Sequence, residues 1–205
     1  MVALSLVLVG LAGGLLLVPL ARPFVGDVPR RHRMAVGIAT GAVCGLLGWR
    51  IGWEPVLPAL LYLAVVGTLL GFIDVTVKRL PDRFTLTSYG AAAVLLGLAA
   101  PFSEDGPRHF THALIGMALL FALYFLQAFI VPSGIGLGDV KLSGVLGLYL
   151  GWFGRDAWLL GLAATYLIGG VVAVGILIVR RTRKGEFAYG PAMLAGTLIA
   201  VLATG

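Results

Sequence analysis

Two aspartates stand where charge is costly. Asp74 closes the apolar run GTLLGFID, and Asp139 follows a set of spaced glycines in GIGLGDVKLSG. A charged side chain inside a membrane costs a few kcal/mol on insertion scales, so chemistry is the default reason for keeping one there. Two carboxyl groups that face one another can share a proton: the ionised one activates a water while the protonated one polarises a carbonyl. Such a pair hydrolyses a peptide bond without a metal or a covalent intermediate. Plainer roles are open to both acids. Asp139 suits a helix N-cap, and Asp74 can pair with Lys78 one turn on. Asp82, in the Leu80-Pro81-Asp82 turn, is expected to be structural, capping the helix that begins near Thr85.

The elements that must carry these acids are membrane helices. The chain has 205 residues, of which 60% are hydrophobic and 12% charged, and its mean hydropathy is +1.02. Those values lie outside the range of soluble domains. A span needs about 20 apolar residues, and apolar runs between polar or proline-rich breaks fall at 2–21, 35–50, 55–74, 84–101, 111–131, 138–153, 157–179 and 187–204. The fold expected is an all-α bundle of about eight transmembrane helices, forming one domain over residues 1–205. The 30 glycines fit close helix packing in lipid.

Charge orients the bundle. The first, third, fifth and seventh loops hold Arg22, Arg30, Arg31, Arg33, Lys78, Arg79, Arg83, Lys141, Arg180, Arg181, Arg183 and Lys184, which is 12 of the 15 Lys and Arg. The positive-inside rule puts those loops in the cytoplasm and both termini outside. The end of span three and the start of span six then meet the same cytoplasmic boundary, so Asp74 and Asp139 are expected at matching depth. Asp139 sits at a helix N-terminus, where the dipole favours an ionised acid, and Asp74 at a C-terminus, where it does not. Asp139 is on that ground the expected base, an argument that Lys78 opposes by favouring ionised Asp74. Gly134, Gly136 and Gly138 would let the backbone turn sharply and admit a substrate strand beside Asp139.

Other chemistries are excluded or have little support. Cys44 is the single cysteine and lies in an apolar run, which leaves no disulfide framework or cysteine zinc site. His32 belongs to a basic loop, and His109 with His112 would be two imidazoles alone, a poor metal site. The formal charge of +6 is spread between apolar runs, not gathered on one soluble face, so no nucleic-acid partner is expected. At the N-terminus the arginines follow the first apolar run, an order that argues against a cleaved secretory signal.

Three stretches together resemble a known family. Gly136-Leu137-Gly138-Asp139 with Val140-Lys141-Leu142 is similar to the signature of the prepilin peptidases, membrane aspartic proteases also called type IV leader peptidases. Phe72-Ile73-Asp74, a short basic segment and Leu80-Pro81-Asp82-Arg83-Phe84-Thr85-Leu86 resemble the family's first motif. Ala188-Tyr189-Gly190-Pro191-Ala192 resembles the glycine-proline entry to its last span. The resemblance covers most of the chain from about residue 60 to 205 and implies that Asp74 and Asp139 are the catalytic pair, with Gly136 and Gly138 in the active-site loop. It further implies a prepilin or pseudopilin substrate, whose short basic leader is cut at the cytoplasmic face of the inner (plasma) membrane, with no cofactor. Lys78, Arg79 and Lys141 would then be free to position the substrate or simply to anchor the topology.

One departure separates this chain from the larger members of the family. These carry a sizeable cytoplasmic domain after the first span, often with zinc-binding cysteines, and many methylate the new N-terminus using S-adenosylmethionine. Here that loop is reduced to roughly Arg22 through Arg33 and holds no cysteine, so neither zinc nor methyl transfer is expected. Two rival readings stay open on the residues. One is a proton-coupled transporter that uses the same acids, although such sites tend to lie near the bilayer midplane. The other is a non-catalytic scaffold of a pilus or secretion complex.

Overall fold

The structure, a computed structural model, describes residues 2–131, 135–180 and 188–205. Gly134 of the expected active-site loop and Arg181, Arg183 and Lys184 of the seventh loop lie outside the described residues. Helices follow the apolar runs closely. They are α1 (Val2–Leu17), the one-turn α2 (Arg22–Val25), α3 (Arg30–Ile51), α4 (Leu57–Val77), α5 (Asp82–Ala99), α6 (Gly106–Ile130), α7 (Leu137–Trp152), α8 (Arg155–Arg180) and α9 (Gly190–Thr204). Among the described residues there is no strand. The chain is an all-α membrane bundle.

Local chemistry sets the ends. Pro58 sits in the first turn of α4, where its missing N–H costs nothing. At the other end Lys78 takes a left-handed conformation, φ 53°, and its amide donates to the Asp74 carbonyl at 2.7 Å. Pro81 then forbids continuation and serves as the N-cap of α5. After α1, Pro19 and Pro23 break the first span into a 3-10 turn and the short α2. Helix α3 begins five residues earlier than the hydropathy pattern predicts, because Arg30–Arg33 form its first turn.

Among the described residues six segments are long and apolar enough to cross a membrane: Ala3–Val25, Arg30–Ile51, Leu57–Val77, Asp82–Phe102, Gly106–Ile130 and Arg155–Val179. The remaining two main helices are shorter. Helix α7 has 16 residues and α9 has 15, giving about 24 Å and 22 Å at 1.5 Å per residue, below the roughly 30 Å hydrocarbon core. Helix α7 compensates by lying at the centre. Every residue from Leu142 to Trp152 is buried, so this helix meets protein rather than lipid. The outer helices carry exposed apolar side chains instead, among them Leu8 and Leu16 of α1 and Leu167 and Val171 of α8.

The most extensive helix contacts are α1 with α3, α6 with α7, and α8 with α9. Small residues make them possible. A Cβ added at Gly116 of α6 would stand 2.6 Å from the Gly147 carbonyl oxygen and 2.8 Å from Gly151 Cα, both in α7. Helix backbones approach that closely only through glycine, the usual device for association in lipid. Helix α4 packs on α3, α5 and α9, while α7 packs on α5, α8 and α9. This arrangement joins the helix that ends near Asp74 to the helix that begins near Asp139.

Candidate active site

Asp74 occupies the last turn of α4 and is buried, with 4% of its surface exposed. Its Oδ2 accepts a hydrogen bond of 2.9 Å from the backbone amide of Gly190. Gly190 is the first residue of α9, so the carboxylate lies at the positive end of that helix, where free amides and the dipole both favour an anion. This corrects the expectation that Asp74 experiences only the negative end of its own helix. Helix-end electrostatics therefore no longer distinguishes the two acids. Nor does Asp74 engage Lys78, which is exposed and acts through its backbone as the C-cap of α4.

A side chain at position 190 could not coexist with this geometry. A Cβ there would stand 2.8 Å from Asp74 Oδ2 and 3.4 Å from its Cγ. Pro191 follows, and as the second residue of the helix it leaves the Gly190 amide as the donor pointing at the carboxylate.

Asp139 is half-buried in the first turn of α7. The N-cap of that helix is Gly136, which has no side chain to cap with, and Asp139 occupies the third helical position. Its carboxyl turns back toward the Gly136 backbone, the approach that a capping box makes. A Cβ at Gly136 would lie 3.3 Å from Asp139 Oδ2. The expected N-cap role is thus replaced by a related one, three residues into the motif.

Several independent contacts bring the two acids to one end of the bundle. Gly138, next to Asp139, packs on the loop after α4: a Cβ there would stand 3.0 Å from Leu80 Cβ and 3.4 Å from the Leu80 amide. Lys141 Nζ donates to Asp82 Oδ1 at 2.7 Å, and the Tyr89 hydroxyl donates to the Lys141 carbonyl at 2.7 Å. The structure brings together Asp74, Asp139, Gly136 and Gly138. Of the three basic residues considered for substrate binding, Lys78 and Arg79 are exposed, and Lys141 is held by Asp82. Asp82 is the first residue of α5 and makes no capping bond with its side chain, so its structural role is the ion pair, not the cap expected.

The structure adds residues that sequence reasoning did not single out. Tyr124 of α6 is buried and stacks on Tyr166 of α8, with ring centroids 6.2 Å apart. It also meets the Tyr189 ring, with centroids 6.3 Å apart. Gln127 donates to the Tyr166 hydroxyl. A glutamine and tyrosines in otherwise apolar runs such as FALYFLQAF were the available signal, since buried polar groups seek partners. The His109 ring bonds the Trp152 carbonyl at 2.6 Å, a packing role. Among the described residues no group of three His, Cys, Asp or Glu gathers as a metal site would require.

Comparison with known proteins bears on the same stretch. Residues 61–174 match the model of the type IV leader peptidase family. A prepilin leader peptidase/N-methyltransferase of Neisseria gonorrhoeae is 32% identical over 165 residues, covering 77% of this chain and 53% of the relative. Proteins of the same name from Aeromonas salmonicida and Stutzerimonas stutzeri are 30% and 26% identical, covering 74% and 86% of this chain and 50% and 60% of their own length. The chain spans about half the length of the curated relatives it matches. No solved structure matches it.

Proposed function

We propose that the chain, which belongs to the type IV leader peptidase family, is an aspartic endopeptidase of the inner membrane that removes the leader from type IV prepilin-like or pseudopilin precursors. Asp74 and Asp139 are its catalytic pair. The observation that carries this reading is their position at one end of the bundle, Asp74 held by the Gly190 amide and Asp139 turned toward Gly136.

The reaction needs one proton on the pair. The ionised carboxyl takes a proton from a water as its oxygen attacks the scissile carbonyl carbon, and the protonated carboxyl donates to the carbonyl oxygen. The tetrahedral intermediate collapses when its C–N bond breaks: the leaving nitrogen takes a proton from the acid formed in the first step, and one hydroxyl of the intermediate returns its proton to the other carboxylate, which restores one proton to the pair. Water is consumed, and a new carboxyl and a new amine are released. The substrate strand is taken to be extended beside Asp139, because a helical peptide bond is covered by its own hydrogen bonds. The acids are taken to face the cytoplasm on the charge pattern of the loops.

Co-expression with a prepilin-like precursor tests the proposal. Leader removal by the wild type, lost in both Asp74→Asn and Asp139→Asn, supports it. Ion flux through purified protein in vesicles, with no cleavage, would replace it with the transporter reading.

A further inference from the structure

At the end of the bundle opposite the acids, a cleft of about 340 Å³ opens between α6 and α8. Both helices pack on α7 and only thinly on each other, and Gly116 and Gly151, which make the close α6–α7 contact, also line the cleft. The Trp158 indole N–H donates to the Gly116 carbonyl at 3.2 Å and so joins the two walls. Polar groups come first along each wall, at His112 of α6 and Arg155 of α8. Apolar ones follow deeper in the membrane, at Ile115 and Leu119 on α6 and Leu159 on α8. Among the described residues neither the Arg155 guanidinium nor the His112 ring makes a hydrogen bond or an ion pair. Asp156, next in the chain, forms no ion pair with Arg155 and does not line the cleft. Arg50, at the same end of the bundle, is by contrast engaged by the Leu202 carbonyl at 2.9 Å.

We infer that this cleft binds one phospholipid with an anionic headgroup, its phosphate against Arg155 and His112 and one acyl chain along Ile115, Leu119 and Leu159. Charge, size and the order of the lining groups all select that occupant. A guanidinium without a partner binds phosphate through two parallel N–H bonds, the imidazole adds an N–H donor in either tautomer, and basic pockets between membrane helices are where anionic headgroups settle. A helix is about 10 Å across and rises 5.4 Å per turn, so one turn alone would need roughly 400 Å³. The cleft therefore takes a chain and not a helix. Its walls pass from cation to hydrocarbon in the direction that a lipid passes from headgroup to tail. Apolar walls alone would accept any acyl chain, whereas Arg155 makes the site discriminate by headgroup charge. Gly151 stands 12 residues after Asp139 on α7, about 18 Å along the helix, so the inference does not rest on the catalytic assignment.

The test uses the full chain purified in detergent, with phosphatidylglycerol, phosphatidylcholine and inorganic phosphate as separate probes. Native mass spectrometry should retain one phosphatidylglycerol per chain. Added phosphatidylglycerol should also raise the thermal midpoint to a plateau, because a ligand of the folded state stabilises it. Arg155→Gln should weaken the apparent affinity about tenfold, the loss of one charge-assisted contact. Arg155 is exposed, so this variant should keep the unliganded midpoint of the wild type. Arg50→Gln, which alters a cation outside the cleft, should leave the affinity for phosphatidylglycerol as it is. Leu159→Ala should weaken it severalfold, and an unchanged value would show that no acyl chain lies along this wall. Equal affinity for phosphatidylcholine, or wild-type affinity in Arg155→Gln, would overturn the inference. A plateau reached with inorganic phosphate alone would mark a free-anion site and would overturn the lipid assignment.

Discussion

Asp74 and Asp139 share a chemistry but not a means of support. Asp74 is buried and bonded by an amide 116 residues further along the chain. Asp139 is half-buried, and its carboxyl lies against a glycine three residues away. One is a tertiary construction, correct only when α4 and α9 dock. The other is a helix-start motif that the stretch from Gly136 to Asp139 can form locally. Perturbing the Asp74 side should therefore disturb the bundle as well as the site, whereas the Asp139 side should tolerate small changes in its loop.

The largest expected effect removes that asymmetry. Asp74→Asn and Asp139→Asn should each lower cleavage by at least about 10²- to 10⁴-fold, measured as leader loss per unit of membrane-inserted protein. If either variant keeps wild-type turnover, the pair is not the catalytic unit. Next come the two glycines that touch the acids. Gly190→Ala puts a Cβ 2.8 Å from Asp74 Oδ2, and Gly136→Ala one 3.3 Å from Asp139 Oδ2. Displacing a reacting group by about 1 Å can cost 10²-fold. Gly190→Ala should approach that loss, while Gly136→Ala should cost only a few-fold, because its loop can yield. Equal losses would erase the contrast between rigid and local support.

A smaller effect is expected at Gly138, where a Cβ would press on Leu80 at 3.0 Å. Overpacking of this kind costs about 1–3 kcal/mol, so Gly138→Ala should lower the thermal midpoint in detergent. The smallest concerns Lys141 and Asp82, a partly exposed ion pair worth roughly 1 kcal/mol or less. Lys141→Ala and Asp82→Ala should have nearly the same mild effect on stability and leave KM in place. A rise in KM in Lys141→Ala alone would show that this lysine meets substrate as well as Asp82.

Much of the fold was legible because the bilayer restricts the choices. Backbone polar groups must be satisfied internally in lipid, so apolar runs of sufficient length become helices. The run read at 138–153 is α7 at Leu137–Trp152, and that read at 157–179 is α8 at Arg155–Arg180. Hydropathy could not show that α7 is enclosed by protein while α1 faces outward, since both read as apolar. The glycines at 116, 147 and 151 carried that information only once their helices were paired. At the site, the two aspartates stood out by their cost. The tyrosines did not, because an aromatic residue in an apolar helix usually only packs, and their ring contacts join α6, α8 and the start of α9.

The sequence by itself determined that the chain forms apolar helices, where each begins and ends within a few residues, and which two acids are too costly to be incidental. These follow from local rules: hydropathy, proline and glycine at the breaks, and the price of charge in hydrocarbon. Only the tertiary structure decided that Asp74 rests on the amide of Gly190, that Lys141 is engaged by Asp82, and that Tyr124 meets both Tyr166 and Tyr189. Such pairings depend on helices docking through close contact between small residues, and that geometry belongs to the whole bundle rather than to any one segment.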